Sequence, residues 1–155
     1  MIEAGELAPE FELESDRGET VRLKDLRGKR VVLFFYPRDD TSGCTREACG
    51  FRDRLPVFET RDAVVFGVSP DDVRSHEKFR DKYDLNFPLL ADPGHKVADE
   101  YGVWGEKKMY GRKYEGIHRT TFLIDAEGRV EKVYKKVKPA KHAEELLADL
   151  TDSGE

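Results

Sequence analysis

The 155-residue sequence predicts an α/β sandwich, a mixed β-sheet with helices on both faces. Three observations carry this. Val31 to Tyr36 and Ala63 to Val68 are apolar throughout, as strands covered on both faces must be. Between and after these runs lie segments whose apolar residues recur at helical spacing. The chain then closes with a strand–turn–strand pattern and an amphipathic helix, so parallel and antiparallel pairs share one sheet.

Taken in order, Phe11 to Leu13 and Val21 to Leu23 read as short strands around the turn Ser15-Asp-Arg-Gly18, an N-terminal β-hairpin. Val31 to Tyr36 is a central strand. Ser42 is placed to cap the helix that follows. The apolar stripe of that helix is Cys44, Ala48, Phe51, Leu55 and Phe58, and Pro56 is expected to kink or end it near its last turn. Ala63 to Val68 is the next strand. Ser69-Pro-Asp-Asp opens a helix carrying Val73, His76, Phe79 and Tyr83. Phe87 to Leu90 suggests a strand, Ala91 to Gly94 a turn and His95 to Tyr101 a short helix. Trp104 to Gly116 is polar, basic and glycine-containing, which predicts a mobile loop. Thr120 to Ile124 and Val130 to Tyr134 form a hairpin around Asp125-Ala-Glu-Gly128. A last helix runs from about Pro139 to Leu150 on a face of Ala143, Leu146, Leu147 and Leu150, and the final residues are expected to fray. This order fits a thioredoxin-like arrangement, in one domain spanning residues 1–155.

Hydrophobic and charged residues each make up 38% of the chain, the balance of a soluble protein with a heavily charged surface. The net charge of -5 argues against a nucleic-acid partner and predicts no steering of anionic substrates. No run is long enough to cross a bilayer, and the N-terminus has neither a basic region nor an apolar stretch. The cytoplasm is the expected compartment. There, two neighbouring cysteines point to catalysis or metal binding rather than to a permanent staple.

Those cysteines, Cys44 and Cys49, are the most informative residues. Cys44 falls in the first turn of its helix, where unpaired N–H groups and the helix dipole favour a thiolate. An ordinary thiol of pKa about 8.5 is only roughly 3% thiolate at neutral pH, so acidity alone raises the reactive fraction about 30-fold at most. Fast peroxide reduction needs more: groups that hold both peroxide oxygens in line with sulfur and stabilise the departing one. Thr41 is placed to bond sulfur or a peroxide oxygen. Arg119, opening a strand, offers a fork of fixed-charge donors. Pro37 walls the pocket without an N–H of its own. Glu47, one turn after Cys44, can hold Arg119 through a bidentate pair.

Cys49 is the candidate resolving residue. Five residues apart on a helix, its Cα lies about 8.6 Å from that of Cys44, whereas a disulfide requires about 7 Å or less. The helix must unwind locally for the two to pair. Metal is not expected, because His76, His95, His118 and His142 are scattered without ligand spacing. No phosphate-binding loop is present either. Lys107, Lys108, Arg112 and Lys113 read as solvated surface, and His118 as a structural or loop contact on the strand face opposite Arg119. Two rivals to a peroxidase remain. A disulfide reductase is disfavoured by the lack of a Cys-x-x-Cys pair, and a redox sensor needs the same two thiols.

Pro37-Arg-Asp-Asp-Thr41-Ser-Gly-Cys44 resembles the peroxiredoxin signature of proline, three residues, threonine, two residues, cysteine. Gly116-Ile-His-Arg119-Thr-Thr-Phe-Leu-Ile-Asp125 resembles the strand carrying that family's active-site arginine. The spacing of the second cysteine is similar to that in peroxiredoxin Q, also called bacterioferritin comigratory protein. The likeness covers nearly the whole chain, from Gly5. It implies a thioredoxin fold and a thiol peroxidase acting on hydrogen peroxide and organic hydroperoxides. Cys44 would be peroxidatic and Cys49 resolving, through an intramolecular disulfide. Pro37, Thr41 and Arg119 would line the pocket with Glu47 in support, and thioredoxin or a similar dithiol would be the reductant. No metal, haem or flavin is implied. A monomer is expected, with a weak dimer as the alternative. Ser42 stands where many relatives have proline, which loosens the turn before Cys44 and adds a hydroxyl.

Overall fold

The structure, a computed structural model, describes the backbone of residues 1–153 and the side chains through Leu150. Every long apolar run of the sequence becomes a central strand. β3 (Arg30–Phe35) pairs parallel with β4 (Ala63–Ser69), which pairs parallel with β5 (Leu89–Ala91). On its other side β3 meets β8 (Thr120–Ile124) antiparallel, and β9 (Val130–Lys135) follows as the second arm of the closing hairpin. The N-terminal hairpin of β1 (Glu12–Ser15) and β2 (Thr20–Arg22) adds to β5, giving a seven-stranded mixed sheet in the order β2-β1-β5-β4-β3-β8-β9. This is the thioredoxin-like α/β sandwich that the sequence predicts.

Alternation along β3 divides the core. Val32, Phe34 and Tyr36 face α1 (Ser42–Thr60), α2 (Val73–Tyr83) and α4 (His142–Ser153). Val31, Leu33 and Phe35 face α3 (Lys96–Tyr101) and the N-terminal segment. Phe34 stacks on Phe51 of α1, and Phe35 meets Tyr101 of α3, so each sheet face is sealed by an aromatic contact. Ala143, Leu146 and Leu150 are buried on α4 as expected, with Leu147 partly so. The expected fraying of the final residues lies outside the described residues.

Three expectations are corrected. Ser42 does not cap α1 but is its first residue. Thr41 takes the cap position in extended backbone, without a side-chain capping bond. Pro56 does not end α1 at its own position: the helix runs through it for one more turn, to Thr60. A proline there deprives the Arg52 carbonyl of its helical donor, and Asn86 replaces it, its Nδ2 donating to that oxygen at 3.1 Å. Because Asn86 is exposed, water can substitute. Asn86→Ala is therefore expected to lower stability by only about 0.5 kcal/mol in urea unfolding; a loss several times larger would show that the helix depends on this bond.

The third correction concerns Trp104 to Gly116, which is not a loop. β6 (Trp104–Met109) and β7 (Arg112–Ile117) form a separate two-stranded antiparallel sheet. Tyr110 and Gly111 make its turn with φ of 52° and 77°, the two positive angles of a tight hairpin. Its strands carry no buried stripe, so cross-strand polar pairs replace a hydrophobic pattern: Trp104 Nε1 donates to Glu115 at 2.9 Å, and Lys107 lies over the Tyr114 ring. At the base, Trp104 stacks on His95 with centroids 3.9 Å apart.

Candidate active site

Strand β3 delivers the chain through Tyr36 into an irregular segment, Pro37 to Thr41, and then into α1. Cys44 is the third residue of that helix and is buried. The first N–H groups of a helix have no partner within it, so its positive end lies beside the sulfur. Arg119, between β7 and β8, reaches this end. Its Nη2 donates to Cys44 Sγ at 3.2 Å and its Nη1 to Glu47 Oε1 at 2.7 Å. Gly43 leaves room for this approach: a Cβ there would lie 3.2 Å from Arg119 Nη2, close enough to push the guanidinium by a few tenths of an ångström.

Glu47 stands three residues after Cys44, on the same helix face, and its side chain is fully buried. The expected bidentate pair is not formed. One guanidinium nitrogen goes to the sulfur, so only Oε1 is bonded, and Oε2 has no partner among the described residues. Burial pushes the Glu47 carboxyl up to about 7, against the opposing pull of Arg119.

The folded state therefore binds this proton more tightly than the unfolded chain does. The stability it contributes is fully present below the unfolded value of 4.5 and is lost as pH rises through about 7. Comparing wild type with Glu47→Gln in denaturant at pH 5 and pH 8 is expected to show the wild type losing ground by about 2.5 kcal/mol over that interval. His142, pushed down to about 4 by burial and by Arg119, titrates in both proteins and cancels. A pH-independent difference would mean that Glu47 ionises at its ordinary value.

Thr41 is exposed, and its hydroxyl donates not to sulfur but to the Arg38 carbonyl at 2.9 Å. With its only proton engaged, the oxygen remains an acceptor. Pro37 is half-buried at the start of the segment. Cys49 lies further along α1, half-buried and unpaired, and burial pushes its thiol above the ordinary value. The structure thus joins Cys44, Arg119 and Glu47 directly, places Pro37 and Thr41 in the adjoining segment, and keeps Cys49 apart.

Two groups escape the sequence reading. Lys107 is not plain solvated surface: its Nζ donates to the Ile117 carbonyl at 2.8 Å, and burial with the nearby charge of Arg119 lowers its pKa. No feature of its basic stretch distinguishes it from Lys108. It lines a cavity of about 390 Å³ with His118, Arg119, Lys136, Val137 and Pro139, so the mouth beside Arg119 is locally cationic in a chain of net charge -5. His118 is exposed, with its N–H bonded to Val103. The second group is Asp39, Asp71 and His76, whose carboxylate and ring-nitrogen atoms lie within 4.8 Å of one another. Their positions in the chain do not show this, because the segment before α1, the turn after β4 and α2 bring them together.

The model of the AhpC/TSA family matches residues 4–133. Peroxiredoxin Bcp of Bacillus subtilis (strain 168) is 52% identical over 154 residues, covering 99% of this chain and 98% of that protein. Peroxiredoxin Bcp of Escherichia coli (strain K12) is 43% identical over 146 residues, 94% of each. Among solved structures, a cysteine-to-serine mutant of Xylella fastidiosa PrxQ superposes with a TM-score of 0.94 at 34% identity, covering 100% of this chain and 99% of that one. A Xanthomonas campestris bacterioferritin comigratory protein, described for its alkyl peroxide reduction activity, superposes with a TM-score of 0.88 at 38% identity, covering 94% and 92%.

Proposed function

The chain belongs to the AhpC/TSA family, in its peroxiredoxin Bcp group, and from that premise we propose how its residues divide the work of a thiol-dependent peroxidase. The observation that supports the division is the bridge of Arg119 between the Cys44 sulfur and Glu47 at the N-terminal turn of α1. Cys44, as thiolate, attacks one oxygen of hydrogen peroxide or an organic hydroperoxide. A sulfur–oxygen bond forms and the oxygen–oxygen bond breaks. The electron pair leaves on the second oxygen, which takes a proton to become water or an alcohol. Arg119 supplies fixed-charge donors where that negative charge develops. Thr41 accepts from the peroxide O–H, Pro37 offers the site no competing donor, and Glu47 holds the arginine fork in place.

Cys44 is left as a sulfenic acid. Cys49 then attacks its sulfur, forming a disulfide and releasing water. On the intact helix the two Cα atoms are about 8.6 Å apart, so the first turns of α1 unwind for this step. A dithiol of the thioredoxin type restores both thiols by exchange. The same reading takes the chain as one domain, working as a monomer in the cytoplasm without nucleic acid or membrane. Among the described residues no helix is long and apolar enough to cross a membrane.

Continuous hydrogen peroxide consumption with thioredoxin, its reductase and NADPH tests the reading. Many turnovers per protein are expected. A reaction that stops after one equivalent, whichever dithiol is supplied, would make the protein a stoichiometric sensor instead.

A further inference from the structure

The segment Pro37 to Thr41 sets where α1 begins, yet its two aspartates do not face the cysteine. Both are held by α2. Asp39 is buried. Its Oδ1 accepts from the Tyr36 hydroxyl at 2.6 Å, and its Oδ2 accepts from Ser75 Oγ at 2.7 Å and lies 2.7 Å from His76 Nδ1. The Asp39 N–H donates to Asp71 Oδ2 at 2.7 Å, and Asp71 is fixed in turn by Ser69 Oγ at 2.7 Å. Asp40, in left-handed backbone with φ of 59°, accepts from Lys82 Nζ and the Tyr83 hydroxyl, each at 2.8 Å.

The protons of the inner cluster follow from its acceptors. His76 is fully buried, with Nε2 2.9 Å from the Leu90 carbonyl oxygen. A carbonyl only accepts, so Nε2 carries a proton. Nδ1 and the Asp39 carboxyl group share a hydrogen bond, and that carboxyl also accepts from two hydroxyl groups. Burial alone would lower the His76 pKa, but the bond to Asp39 and its charge outweigh this and raise it. Each of these buried polar groups needs its partner in place, so the cluster holds one arrangement. That arrangement belongs to the segment immediately before Cys44.

We propose that His76 is a positioning residue for the peroxide step: through Asp39 it pins the Pro37–Thr41 segment to α2, and this pin is the upstream anchor against which the first turn of α1 unwinds. The proposal rests on the assignment of Cys44 and Cys49 made above. The residues that must rearrange for the two cysteines to meet lie between two sets of contacts. Downstream, Ala48, Phe51 and Phe58 of α1 are buried in the core. Upstream, the hydrogen bonds of Asp39 and Asp40 are the restraint, and the residues between these anchors are the moving piece. Loosening the upstream anchor has two opposite consequences. The sulfur and Thr41 lose their alignment for peroxide, and the helical form that keeps Cys44 from Cys49 becomes easier to leave.

The test resolves the two steps by rapid acid quench and mass spectrometry of reduced protein mixed with hydrogen peroxide, scoring sulfenic acid and disulfide separately. In His76→Leu the peroxide step is expected to slow by about tenfold or more, since misplacement of about 1 Å at a reacting atom costs on the order of 100-fold, while the disulfide-forming step speeds up several-fold. Ser75→Ala, which removes one part-buried hydroxyl bond to Asp39, is expected to shift both steps the same way by less, and it serves if His76→Leu does not fold. Folded variants in which both steps keep wild-type rates, or slow together, overturn the proposal. A wild type that forms no sulfenic acid at Cys44 overturns the underlying assignment instead.

Discussion

Cys44→Ser is expected to bring peroxide turnover with thioredoxin below detection, while leaving the fold intact. The hydroxyl replaces a thiol of nearly the same size in a buried site, so little packing is lost, but serine cannot supply a nucleophilic anion near neutral pH. Cys49→Ser should behave differently. Its Cys44 and Arg119 remain in contact, so the first equivalent of peroxide is consumed at close to the wild-type rate. The sulfenic acid then has no internal partner, and thioredoxin-driven turnover stalls. The pair of variants separates the roles in one NADPH-coupled assay. Sustained turnover in Cys44→Ser would remove the nucleophile from this helix altogether, and full turnover in Cys49→Ser would show that an outside thiol resolves the sulfenic acid directly.

Arg119→Ala is expected to cost about 10²–10³ in the second-order rate constant for peroxide, the usual loss when a donor aimed at developing charge is removed. The bond to sulfur at 3.2 Å and the bond to Glu47 at 2.7 Å both disappear. A buried carboxylate left alone would be costly, but Glu47 already has its pKa raised to about 7 by burial. Without the guanidinium it takes a proton and becomes neutral, so the variant should fold while losing rate. Arg119→Lys is expected to recover only part of the loss, because an ammonium cannot present two fixed donors to sulfur and carboxylate together. A rate within threefold of wild type in Arg119→Ala would exclude the arginine from the chemistry.

The parts of this arrangement that sequence exposes are those with a one-dimensional signature. Val31 to Tyr36 reads as a central strand because every position is apolar, and Cys44 reads as N-terminal on a helix because a turn precedes it and a stripe follows. Where the stabilising partner is distant in the chain, the reading fails. Pro56 looks like a helix breaker until Asn86 is seen supplying the missing donor. The β6–β7 hairpin looks like a loop because its strands pair polar side chains with each other and bury no stripe. Glu47 is rightly linked to Arg119, but its monodentate contact depends on the sulfur claiming the other nitrogen. Asp39 and His76, separated by 37 residues, share no motif. Their meeting is a product of the parallel pairing that brings α2 beside the end of β3.

The separation of the two cysteines along α1 also bears on the reduction potential of the proposed disulfide. In the proposed cycle the oxidised protein must keep part of the helix unwound, so the free energy of re-forming those turns is released only when the disulfide is reduced. For a two-electron couple, each 1.4 kcal/mol of that release raises the potential by about 30 mV. In that cycle the first turns of α1 act as a spring that oxidation stretches, and the proposed dithiol donor draws on its recoil.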